Sequence, residues 1–317
     1  MSADPAVAPV VGRPARSEHS KGLIYAISAY VLWGLLPLYF LLLIPTTAFE
    51  IVAWRVLLSL AFCALLITVT RKWGAFTAVL AKPRVVWIMG LAGILIYVNW
   101  QTYVFAAVSG HVVEAALGYF INPIVTIFLG VVVLRERLRL VQWIAVGISV
   151  VAVGVLTVGY GSVPWISLVL AFSFGLYGLI KKRVGKDVDA VTGLTLETAW
   201  LAPIAIIQLV VVAAFSGLTI GTVSPLHTVG LLAAGVVTAV PLLFFAAAAR
   251  RLPLTYMGLI QYFAPFLQFL VGVYVLGEAM PAERWVGFGL VWVALVMLTI
   301  DMVVAGRAPR RASLKPA

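Results

Sequence analysis

ALGYFINPIVTIFLGVVVLRE, residues 116–136, is written twice in this chain. Displaced by 142 residues, it falls on GLIQYFAPFLQFLVGVYVLGE, residues 258–278. Pro123 meets Pro265, Gly130 meets Gly272, Leu134 meets Leu276 and Glu136 meets Glu278. The register runs on without a gap, with Trp143 over Trp285 and Gly147 over Gly289. Apolar helices share Leu and Val by chance, whereas Pro, Gly, Glu and Trp in one frame point to an internal duplication of about half the chain.

The composition fixes the class. Of the 317 residues, 63% are hydrophobic and only 10% charged, against about 25% charged in soluble domains. Most of the length lies in apolar runs of about 18–24 residues, which as helices match a hydrocarbon core of about 30 Å. Ten spans are predicted: 22–43, 49–70, 85–107, 112–134, 141–158, 163–180, 195–214, 227–248, 255–276 and 284–304. The expected fold is an all-α integral membrane protein, ten transmembrane helices in two inverted five-helix repeats, residues 22–158 and 163–304. Residues 1–21 read as a short disordered cytoplasmic tail and 305–317 as a basic one. The first apolar run is too long for a removable signal peptide and no small-residue cleavage site follows it. Cys63, the single cysteine, lies in an apolar run and is expected to be a buried core thiol.

The net charge of +11 would suit nucleic acid, but the basic residues sit in short loops and tails. The tail before span 1, the loops after spans 2, 4, 6 and 8, and the C-terminal tail hold 20 of the 22 Lys and Arg. The remaining two are Arg284, in an opposite loop, and Arg55, within span 2. The positive-inside rule places both termini in the cytoplasm and gives the basic residues an orienting role. No nucleic-acid partner is expected. A five-span unit is odd, so its second copy enters the membrane upside down. Two such halves can rock about a central site, the ground plan of many secondary transporters.

Polar side chains within spans need a partner or a purpose. Tyr119, Asn122 and Thr126 share one face of span 4, and Gln261, Ala264 and Gln268 occupy the repeat-related face of span 9. These faces either line a shared cavity or make interhelical hydrogen bonds. Pro123 and Pro265 each free a carbonyl one turn earlier and are expected to bend their helices. Asn99 and Tyr103 share a face of span 3, and Pro37 breaks the ladder of span 1. Trp33 and Tyr177 each precede a Gly at related positions and are candidates for an aromatic wall. Trp87, Trp143, Trp165 and Trp285 read as interface anchors. The substrate-binding candidates are thus Trp33, Asn99, Tyr103, Tyr119, Asn122, Tyr177, Gln261 and Gln268.

Four charged residues are candidates for coupling or a charge pair: Arg55, Glu50, Glu114 and Glu197. Pairing with Glu50 or Glu114 is the preferred reading of Arg55; snorkelling to the outer interface or holding an anionic substrate are the alternatives. Glu197 is either a proton acceptor or a partner of Lys181 or Lys182. Asp301 is expected to face the basic tail, and Glu136 and Glu278 to serve the turns they end. There is no P-loop, no Gly-x-Ser-x-Gly elbow and no metal spacing among His19, His111 and His227. No cofactor or metal site and no enzyme activity are expected.

The chain resembles RarD-type permeases, EamA-domain members of the drug/metabolite transporter superfamily, over about residues 20–305. The resemblance is carried by Ala29-Tyr30-x-x-Trp33-Gly34-x-x-Pro37, Asn99-Trp100, Glu114-Ala-x-Leu117-Gly-Tyr-Phe-Ile-Asn-Pro123 and Ala171-Phe-Ser-Phe174-x-x-Tyr177-Gly178. Glu197-Thr-x-Trp200-Leu-x-Pro203, Thr238-x-x-Pro241-Leu, Gln261-Tyr262-x-x-Pro265 and Gly277-Glu278 complete it. Two positions depart from the family pattern: Trp54 stands where a His usually precedes the span 2 Arg, and Leu41 where a Lys often follows Tyr-Phe. The resemblance implies ten helices in inverted repeats, a location in the bacterial cytoplasmic membrane, and export of a small metabolite or drug-like solute; coupling of that export to the proton gradient is the expectation attached to Glu197. The partners expected are that solute and the lipid bilayer, with the protein a monomer or homodimer. An uncoupled facilitator, an integral-membrane enzyme or a scaffold are the alternatives.

Overall fold

The computed structural model describes residues 15–134, 138–184, 188–252 and 254–312. Arg135, Glu136, Arg137 and Lys186, with the outer parts of both tails, lie outside them. The described residues are overwhelmingly α-helical and include no strand. In lipid a backbone must satisfy its own hydrogen bonds, and an apolar run of this length does so as a helix.

The order is α1 (Ala15–Gly34), α2 (Leu36–Leu41), α3 (Ala48–Val69), α4 (Trp73–Leu80), α5 (Pro83–Val108), α6 (Val112–Leu134) and α7 (Leu140–Tyr160). Then follow α8 (Trp165–Val184), α9 (Ala190–Phe215), α10 (Pro225–Leu232), α11 (Ala234–Ala249), α12 (Leu254–Ile260), α13 (Phe263–Leu270), a π-helical turn (Val271–Val275) and α14 (Ala282–Ala312). Side chains close several starts: Thr47 Oγ1 accepts from Glu50 N at 3.3 Å, Asp189 Oδ1 from Val191 N at 3.1 Å, and Ser224 Oγ from His227 N at 3.1 Å.

Among the described residues, eight helical stretches are long and apolar enough to cross a membrane. Two shorter apolar ones, Trp165–Lys181 and Phe263–Val275, fall on the predicted spans 6 and 9. The first carries basic residues at its end, and the second belongs to an interrupted helix. Three features differ from the sequence expectation. Residues 15–21 and 305–312 are helical rather than loose tail, because α1 and α14 run on past their apolar windows. The stretch 71–83 contains α4. Span 8 is split at Ala233 with no proline there.

The prolines act unequally. Pro37 separates α1 from α2, and Pro265 sits just past the break at Gln261 and Tyr262. Each ring removes the N–H that would bond the carbonyl four residues earlier. Pro123 instead lies within an unbroken α6.

The closest packing partners are α7 with α14, α3 with α9 and α11, α8 with α5 and α6, and α1 with α11 and α13. Gly34 permits the last contact: a Cβ there would lie 2.7 Å from Leu267 Cβ and 3.3 Å from the Ala264 carbonyl. Cys63 is buried, and Trp87, Trp143, Trp165 and Trp285 are exposed on the outside of the bundle, where lipid would meet them.

Candidate functional site

The breaks create the site. Pro37 leaves the Trp33 carbonyl without its helical donor, and Gln268 Nε2, reaching over from α13, fills it at 3.1 Å. That bond fixes the amide's orientation and turns Gln268 Oε1 toward the buried Tyr103 hydroxyl, the two polar atoms being left to each other. Tyr103 stacks edge-on to Tyr119 at 5.6 Å and to Phe40 at 6.1 Å between ring centroids.

Tyr119 donates to Asn99 Oδ1 at 3.0 Å, and Asn99 Nδ2 donates to Ser173 Oγ at 3.1 Å and to the Leu170 carbonyl at 3.2 Å. These bonds tie α5, α6 and α8 together through one buried amide. Arg55, from α3, completes the cluster. Its Nε donates to Thr238 Oγ1 on α11 at 2.8 Å, and its guanidinium lies 4.3 Å from the Trp100 ring centroid and 5.8 Å from that of Phe40. The hydroxyls of Tyr39, Tyr103 and Tyr119 are within electrostatic reach of it.

Of the predicted substrate-binding residues, Asn99, Tyr103, Tyr119 and Gln268 therefore come together, with Trp33 joined by its backbone. The Trp33 ring packs instead against Tyr30 and Phe245. Asn122 lies one turn further along α6 and donates to the Ala171 carbonyl at 3.0 Å. Gln261 is half-buried at the α12–α13 break. Tyr177 belongs to a second cluster: its hydroxyl donates to Glu197 Oε2 at 3.3 Å, and Lys181 Nζ lies 2.8 Å from Glu197 Oε1. Phe40, Trp100, Ser173 and Thr238 were not among the candidates. Thr238 and Ser173 are signalled by a hydroxyl inside an apolar run and by their places in the resemblance motifs, and Phe40 has no such signal.

The preferred pairing of Arg55 is not found. Glu50 spends its carboxylate on the 216–224 loop, accepting from Thr219 N at 2.9 and 3.1 Å and from Ile220 N at 3.3 Å. Glu114 Oε1 accepts from Ile166 N at 3.1 Å, at the start of α8. Each backbone donor would otherwise be a stranded helix-end or loop N–H, so local capping takes both acids. Glu278 acts structurally, but at the start of α6 rather than in its own turn, accepting from Val112 N at 2.6 Å and Val113 N at 3.0 Å. Burial pushes its carboxyl above the usual range, and those two N–H groups pull it back. Glu136 lies outside the described residues. Asp301 pairs with Arg139 at 2.9 Å, joining α14 to α7 rather than facing the tail. Among the described residues no cluster of three or more His, Cys, Asp or Glu has metal-binding geometry.

Long apolar helices that gather their polar side chains inside define a polytopic membrane protein. Residues 20–158 match the EamA-like transporter family. The chain is 49% identical to Protein RarD of Streptomyces exfoliatus over 296 residues, 93% of each chain. It is 40% identical to Protein RarD of Escherichia coli K12 over 287 residues, 90% of this chain and 96% of the other. An uncharacterized transporter of Vibrio cholerae is 40% identical over 299 residues, 94% of this chain and 98% of that one. A crystal structure 19% identical in sequence superposes with a TM-score of 0.56, over 89% of this chain and 97% of the other, and shares the fold. The chain belongs to the RarD group of the EamA-like transporter family. It is a membrane transporter, not an enzyme.

Proposed function

We propose that this transporter works by alternating access between two oppositely inserted five-helix halves, residues 22–158 and 163–304, and exports a small metabolite or drug-like solute across the bacterial cytoplasmic membrane. The observation that carries this is the exchange symmetry of the packing. Swapping the halves turns the contacts of α1 with α11 and α13 into those of α8 with α5 and α6, while α3–α9 and α7–α14 map onto themselves. Two halves so related have two near-equivalent packings, and passing between them opens a central site to alternate sides. Both termini lie in the cytoplasm on this scheme, as the loop charges require.

The same register, 142 residues, sets Arg55 over Glu197. Each is the eighth residue of its helix, α3 or α9, about 10 Å from that helix's start at 1.5 Å per residue. On this scheme Arg55 lies in the outer third of the membrane and Glu197 in the inner third. The substrate contacts fall to Asn99, Tyr103, Tyr119, Asn122 and Gln268. Glu197 is the proton acceptor: when its pair with Lys181 parts, the carboxylate is free to take a proton. An uncoupled facilitator has one observation on its side, since Glu197 is engaged by Lys181 and Tyr177 rather than open.

Efflux of a labelled metabolite panel from proteoliposomes, with and without a proton gradient, tests this. Asn122→Ala, which removes one buried hydrogen bond, should slow initial efflux about tenfold at unchanged insertion, and Asn99→Ala, which removes three, should slow it further. Wild-type rates in both would remove the site from the bundle interior. Efflux indifferent to the gradient would leave the facilitator.

A further inference from the structure

Taking the buried cluster as the transport site, as proposed above, we infer that the solute it carries is a small organic monoanion whose carboxylate docks on Arg55. One charged side chain in this cluster, more than nine-tenths buried, is left short of partners. It is Arg55, 5% exposed, whose Nη1 completes no hydrogen bond, while the Tyr103 hydroxyl and Gln268 Oε1 have each other. No ion pair of Arg55 is found among the described residues, and Glu50, Glu114 and Glu197 are held elsewhere.

Guanidinium keeps its charge in proteins. Stacking on Trp100 and the hydrogen bond to Thr238 offset part of the burial, but neither supplies the missing negative charge. A buried cation without a counterion is costly enough that it marks a place where one arrives. The anion's chemistry follows from the count of charges and donors. One guanidinium neutralises one negative charge, so a phosphate monoester, carrying about −1.5 to −2, would leave net charge in the bundle. A planar carboxylate matches the guanidinium fork. With Arg55 Nε committed to Thr238, the Nη1–Nη2 edge of the guanidinium is left for the two carboxylate oxygens.

The full-length protein in nanodiscs is titrated with phenylacetate, hexanoate and lactate, with the three corresponding amides, with phenylphosphonate and with chloride. Affinity is read from protection against thermal unfolding, and efflux of the same solutes from proteoliposomes. At least one carboxylate should bind wild type about tenfold or more tightly than its amide. Arg55→Gln should bring each pair within about threefold, and Arg55→Lys should keep the preference with weaker binding, since the charge stays and the fork is lost. Both variants are first checked for a monodisperse elution profile. If Arg55→Gln misfolds, the carboxylate–amide ratio in wild type and in Arg55→Lys decides alone.

Amides that bind wild type as well as their carboxylates overturn the inference, and so does protection by chloride or phenylphosphonate with none by a carboxylate. Should efflux then respond to Asn99→Ala but not to solute charge, the transport site stands and only the substrate class falls.

Discussion

Replacing Lys181 by Met is expected to lower the thermal stability of the purified protein severely, and replacing Glu197 by Gln in the same chain to recover most of the loss. The Glu197 side chain is 2% exposed and its pair with Lys181 spans 2.8 Å. Removing the cation strands a carboxylate that cannot turn to water, and breaking a buried pair from one side costs about 3–5 kcal/mol. Lys181 is 28% exposed, so solvent screening holds the loss toward the lower end. The asymmetry is itself a prediction. Glu197→Gln alone should cost less than Lys181→Met alone, because a stranded lysine here can extend toward solvent. Apparent melting temperatures of the three variants in one detergent check it. A Lys181→Met protein as stable as wild type, or a double variant no better than that single one, would contradict the pairing.

Glu50→Ala should be nearly as damaging, for a different reason. Its fully buried carboxylate takes the Thr219 and Ile220 N–H groups, the Thr219 hydroxyl at 3.0 Å and Trp54 Nε1 at 3.4 Å. Truncation strands two backbone donors, each at about 1–3 kcal/mol, and frees the 216–224 loop from α3. Glu50→Gln keeps one acceptor oxygen and should fall between. Neither change should alter the preference for solute charge, because Glu50 does not touch Arg55. A Glu50→Ala protein of normal stability but altered anion preference would restore the charge pair expected from sequence.

Much of this architecture is written in residues with strong backbone consequences. Pro37 and Pro265 announce their helix breaks, and Asn99, Tyr103, Tyr119 and Gln268 stand out as polar atoms in apolar runs. Partner choice is less legible. Arg55 has two acids within reach by span order, Glu50 and Glu114, but which one it meets depends on helix rotation and on which loop N–H groups compete for the carboxylates. Glu50 and Glu114 go to backbone donors created by loops whose path the sequence does not spell. Thr238 reaches the cluster only through packing across the halves and Phe40 only through packing of α2 on α3 and α5, and α4 and the Ala233 break carry no proline or glycine mark strong enough to see.

The account stands on two halves inserted in opposite senses. Single-cysteine labelling on a Cys63→Ala background tests that most directly, at Gly74→Cys and Ser216→Cys, two exposed positions 142 residues apart in the repeat register. A membrane-impermeant maleimide added to intact cells should modify Ser216→Cys at once and Gly74→Cys only after permeabilisation. Labelling of both from the same side would contradict it.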